Sequence, residues 1–202
     1  MVTEAASVGS TPPPRLLNCH RLRGTIRRML DFYKSIITKQ YEAALCTLGI
    51  CVDRCPADSW NAKVAKYPFS QVVFHTLIFA DLYLGHESEH EFRRQAFHRE
   101  NAELFGDYEQ LEDREPVCVY ERQAIKKYLA FVREKAVQTV ASETPESLAA
   151  QTQFPWRKIP RGEMYIYNLR HIQHHAAQLI LRLRLDANVD VPWVGSGWKD
   201  IK

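Results

Sequence analysis

His171 and His175 are the residues whose type and spacing most directly suggest chemistry. They lie in the segment GEMYIYNLRHIQHHAAQLILRLRL. Four positions apart on a helix, they project from one face about one turn from each other. Two imidazoles so placed can grip one ion at about 2.0–2.1 Å without straining the backbone. At about 100° per residue, Met164, Asn168, His171, His175, Gln178 and Arg182 form one narrow stripe. Ile172, Ala176, Leu179, Ile180 and Leu183 cover the adjoining faces. A polar stripe set between apolar faces points inward, where each unpaired polar group costs about 1–3 kcal/mol. A metal would compensate the histidines. Asn168 and Gln178, a turn away on either side, could orient the rings or contact a bound ligand. His174 lies at the edge of the stripe and reads as a flanking group.

A third ligand comes from VVFHTLIFADLYL, where His75 sits in a strongly apolar run. A lone histidine there reads as a hydrogen-bonded core residue. Beside an inward HxxxH pair it becomes the third member of a set that leaves coordination positions open. Such a set suits zinc, nickel, iron or copper. The competing reading is a bundle whose three histidines are only hydrogen-bonded inside. A literal HExxH occurs at His86-Glu87-Ser88-Glu89-His90, but the charges around it (Glu91, Arg93, Arg94) read as a solvated segment rather than a protease helix.

Helices must position these groups. Residues 1–14 are small, polar and proline-rich and are expected to be disordered, leaving 15–202 as a single domain. Ile26, Met29, Leu30, Tyr33, Ile37, Tyr41, Ala44, Leu45 and Leu48 form the apolar stripe of a long first helix ending near Gly49. Pro68 opens a second, central helix that runs to Gly85. Residues 86–116 are highly charged and read as a partly helical excursion over the surface. Ile125, Leu129, Val132, Ala136 and Val140 mark a third helix, and residues 143–162 a long irregular connection. The fourth helix runs from Gly162 to about Leu185. Trp193 and Trp198 give the short tail a reason to pack back or to meet another subunit. The expected fold is all-α, a four-helix bundle with one long crossover connection.

Composition is that of an ordinary soluble chain: 202 residues, 46% hydrophobic, 25% charged. A net charge of +3 gives no case for nucleic acid, and Arg21, Arg23, Arg27 and Arg28 read as the solvated start of a helix. No run suits a signal peptide or a membrane span, and the five cysteines lack CxxC spacing, so a cytoplasmic location is expected. Cys51 and Cys55, four apart, read as small buried hydrophobes rather than ligands.

The segments PFSQVVFHTLIFADLYLG and YNLRHIQHHAAQL resemble the DinB-like superfamily, metal-binding four-helix bundles with one histidine from the second helix and HxxxH from the last. Gln178 falls where members often carry glutamine in HxxxHxxQL, and Asp81 matches an acidic position six after the first histidine. The resemblance implies a divalent metal on His75, His171 and His175, with zinc or nickel first and iron behind them. It also implies a homodimer. Its better-understood members are metal-dependent transferases and isomerases that use a low-molecular-weight thiol. The expected function is therefore a metal-dependent S-transferase activating a thiol or water, with Asn168 and Gln178 contacting the ligand. The alternative is a non-catalytic, metal-stabilised ligand-binding or stress-related module.

Overall fold

The computed structural model describes residues 17–64, 66–85, 89–105 and 120–200. In chain order its helices are α1 (Leu17–Arg54), α2 (Ala57–Trp60), α3 (Phe69–Leu84), α4 (Glu89–Phe92), α5 (Ala96–Glu100), α6 (Arg122–Ser142), α7 (Pro145–Ala149) and α8 (Arg161–Ala187). A two-residue antiparallel pairing, β1 (Lys63–Val64) with β2 (Tyr67–Pro68), leads into α3. The fold is all-α, and the four long helices fall on the four segments with helical apolar spacing.

Both α1 and α3 pack against α6 and α8. The two helices of each pair that follow one another across a connection, α1 and α3, then α6 and α8, therefore sit across the core from one another. Leu45 and Leu48 of α1, Val73 and Leu77 of α3, Ile125 and Val132 of α6, and Ile172 and Leu179 of α8 are all buried in one cluster. Burial of side chains of this size contributes roughly 1.5–3 kcal/mol each. The 143–162 connection is more ordered than its three prolines suggest. It contains α7, whose N-terminus carries a capping box between Thr144 and Ser147.

The first helix departs from expectation at both ends. It continues through Gly49 to Arg54, because Gly49 is a close-packing point rather than a terminator: a Cβ there would lie 3.0 Å from Leu129 Cδ2. At the other end Ile26 and Met29 are 52% and 67% exposed, so the front of the apolar stripe is not core. The helix has 38 residues against 21 in α6 and 27 in α8, about 57 Å against about 32 and about 41 Å. Tyr33 already meets the Gly162 carbonyl at the start of α8 and Lys34 that of Ala141 at the end of α6, so the turns before them outrun their partners. Arg23, Arg27 and Arg28 are exposed there, as a solvated helix start requires.

The charged stretch after Gly85 is also more than a surface excursion. Phe92, His98, Leu104 and Phe105 are buried. Their anchor is Asp81, fully buried on α3. Its carboxylate accepts from Tyr128 (2.9 Å) and Lys135 (2.5 Å) and pairs with His98 Nε2 at 2.8 Å. Burial pushes the Asp81 carboxyl up, but His98 and Lys135 hold it below its ordinary range. Across the molecule Arg161, also buried, caps α3 by donating to the carbonyls of Tyr83, Leu84 and Gly85 and pairs with Glu143. The tail returns along α1: Arg54 donates to the Asp190 carbonyl, Gly197 N–H to that of Lys39, and Trp198 lies under Arg133 at 4.1 Å. Trp193 stays 84% exposed.

The proline-rich residues 1–14, most of the HExxH motif (86–88) and Cys118 lie outside the described residues. Among the described residues no helix is long and apolar enough to cross a membrane.

Candidate metal centre

Two helices bring three imidazoles to one point. α8 presents His171 and His175 a turn apart, and α3 presents His75 opposite them. The helices run antiparallel at this level: Asn168 Nδ2 donates to the Ala80 carbonyl at 2.9 Å, while Arg182, fourteen residues on, donates to that of Tyr67. Ring centroids are 5.3 Å apart for His75–His171 and 4.7 Å for both His75–His175 and His171–His175. One nitrogen from each ring lies within 4.8 Å of the others, and among the described residues this is the one such group able to hold a metal.

The spacing fits an ion. His75 Nε2 and His171 Nε2 are 3.3 Å apart. Two nitrogens bound at about 2.0–2.1 Å with a tetrahedral angle between them are separated by about 3.4 Å. As a direct N–H···N hydrogen bond the same distance is long. His175 is oriented from behind: its Nδ1 donates to Gln178 Oε1 at 2.9 Å, which leaves Nε2 as a lone-pair nitrogen. Gln178 Nε2 in turn donates to His174 Nε2 at 3.2 Å. His171 Nδ1 is buried with no protein partner.

Burial sets the protonation state. It drives the His75 pKa down to about 2, helped by His175 and His171, and that of His171 down to about 3, helped by His175 and His174. His175 is lowered by the same cause, against which the bond to Gln178 works. All three rings are neutral at pH 7, the form a metal requires. Phe79 flanks His75 and His171 at 4.8 and 5.6 Å, and Tyr83 meets His171 edge-on at 6.2 Å. On the outer side an open cleft of about 410 Å³ is bounded by Tyr167, Arg170, His171, Gln173 and His174.

The structure thus brings together His75, His171, His175 and Gln178. Asn168 is fully buried; its amide nitrogen ties α8 to α3 and its Oδ1 has no protein partner. Cys51 and Cys55 are buried free thiols, pushed up to about 12 and about 11 by desolvation, and belong to the core as expected. Sequence reasoning missed the Asp81 network, whose His98 lies in the charged stretch that reads as solvated and whose Lys135 lies on the third helix among its apolar positions. It also missed Gln71, one turn before His75, which a helical projection from His75 would have found.

Comparison with known proteins agrees with this arrangement. A crystal structure of a DinB-like protein, YjoA from Bacillus subtilis, superposes with a TM-score of 0.50 at 16% identity, covering 81% of this chain and 99% of that one. That likeness speaks to the fold. Among curated proteins there is no match. The family model of the DinB superfamily matches residues 40–179, a span that contains all four long helices in whole or in part and all three histidines. The chain belongs to the DinB superfamily.

Proposed function

We propose that this protein binds one divalent metal ion through His75, His171 and His175 and acts as a metal-dependent transferase on a thiol or water. The observation that carries the reading is three neutral imidazole nitrogens converging within 4.8 Å of one another, with one pair at the separation two ligands of one ion require. A bound ion would act as a Lewis acid, lowering the pKa of a thiol or water presented to it. The chain's own residues do the rest. Gln178 fixes the His175 tautomer, Phe79 and Tyr83 pack their rings against the histidines, and a surface hollow along α8 reaches the cluster at His171. Zinc or nickel fits the all-imidazole donor set best, with iron next.

The partial exposure of His75 and His171 favours this reading over a purely structural metal, because a structural site is closed. A low-molecular-weight thiol is the proposed co-substrate. A homodimer and a cytoplasmic location complete the proposal; the exposed apolar residues Leu22, Ile26, Met29, Phe32 and Ile36 of α1 offer a surface for the dimer. The test is turnover by the metal-loaded protein of a panel of electrophiles with several cellular thiols. Metal-dependent thioether formation, lost in His171→Ala, supports the reading. No turnover with any pair, alongside a metal site without exchangeable water, refutes it in favour of the metal-stabilised module.

A further inference from the structure

Gln71 lies on α3, four residues before His75, so the two side chains share a face one turn apart. It is fully buried, and neither its amide nitrogen nor its carbonyl oxygen has a hydrogen-bond partner. Leaving both ends of a buried carboxamide unpaired is costly, and nothing in the packing of α3 calls for an amide here. Val72, Val73 and Phe74 beside it are apolar and buried, and a methionine would fill the same space. The antiparallel register fixes its level on α8. Ala80 stands opposite Asn168 and His75 between His171 and His175, so Gln71 stands level with the turn that follows His175. Gln178, the other amide at that level, is already engaged by His175 and His174. Gln71 is therefore a free donor and acceptor at the His175 end of the three-histidine cluster.

We propose that Gln71 is a positioning residue of this site, its carboxamide holding a small polar or anionic ligand bound to the ion at the His175 end of the cluster. The inference rests on the metal reading above and deepens it: the group held on the ion would present an acceptor to the Gln71 N–H, as a carboxylate, a thiolate or azide does. The histidines would set metal affinity, while Gln71 would set the affinity for what the metal holds.

Cobalt substitution of the full chain separates these roles, with azide as the probe. Wild type and Gln71→Met should both take up one Co²⁺ per chain. Azide should bind the cobalt form of Gln71→Met about five- to tenfold more weakly, the loss of one hydrogen bond, and the visible cobalt bands of its azide adduct should shift. Gln71→Asn, which keeps the amide but shortens its reach, should fall in the same direction and serves if the methionine variant does not fold. Equal azide affinity and equal spectra in wild type and variant would overturn the proposal, leaving Gln71 a buried amide outside the site. Cobalt uptake without azide binding in the wild type would overturn it too. Failure of the wild type to take up cobalt would instead overturn the metal reading itself, and this inference with it.

Discussion

Acidification of the metal-free protein should destabilise it by an amount set by the histidine cluster. Burial lowers the folded-state pKa of His75 to about 2 and of His171 to about 3. In the unfolded chain both titrate near 6.5. Because the folded values lie below the unfolded one, the unfolded state binds more protons as pH falls. The stability each neutral ring supports is full above about pH 6.5 and drains away between there and the folded pKa. Between pH 7 and pH 5 each of the two rings should cost about 2 kcal/mol, about 4 kcal/mol together. That is a large part of the roughly 5–15 kcal/mol available to a domain. The window is selective. The carboxyls of Asp81 and Glu143 are also lowered, but their contributions go only as pH falls through about 4 and below. The assay is urea unfolding of the chelator-treated protein at pH 7 and pH 5, followed by circular dichroism. In His75→Leu the difference between the two pH values should shrink by about half. A stability independent of pH across this window, or an undiminished difference in a His75→Leu/His171→Leu protein, would refute the assignment of neutral buried rings.

Other substitutions test single contacts. Gln178→Leu removes the acceptor that fixes His175 Nδ1 and should weaken metal affinity about 10–100-fold in competition with a chromogenic chelator, with little change in the fold. Asp81→Ala strands Lys135 and His98 against α3 and should cost about 3–5 kcal/mol in chemical denaturation, part of which Lys135→Met should restore. Gly49→Val pushes into Leu129 and should cost about 1–3 kcal/mol in the same assay. Gly24→Ala, with open space around its Cβ, should stabilise by about 0.5–1 kcal/mol.

The parts of this molecule that were legible in its sequence are those governed by periodicity. The apolar spacing of Ile125, Leu129, Val132, Ala136 and Val140 lies entirely in the buried face of α6. Of the α8 stripe Met164, Asn168, His175 and Arg182 are buried, His171 is half-buried and Gln178 is exposed. What periodicity cannot show is which turns of a helix find a partner. Ile26 and Met29 carry the same signal as Leu45 and Leu48, yet α6 and α8, the neighbours of α1, stop level with Tyr33 and Lys34 and give them no partner. Gly49 reads as a helix end because glycine usually serves there, whereas here the missing Cβ admits Leu129. The charged stretch after Gly85 reads as solvated because Asp81, His98 and Lys135 are far apart in sequence. The Asp81–Lys135 ion pair and the His98 hydrogen bond to it form only once the fold has placed these groups together. The same limit hid Gln71, whose importance lies in what it does not contact.

Metal content bears most directly on the central claim. Elemental analysis of the purified wild type should give about one divalent ion per chain, and His75→Ala and His171→Ala, if folded, should each give almost none. A well-folded wild type that retains no ion, even after loading with zinc, nickel or iron, would reduce the three histidines to core residues and contradict the account.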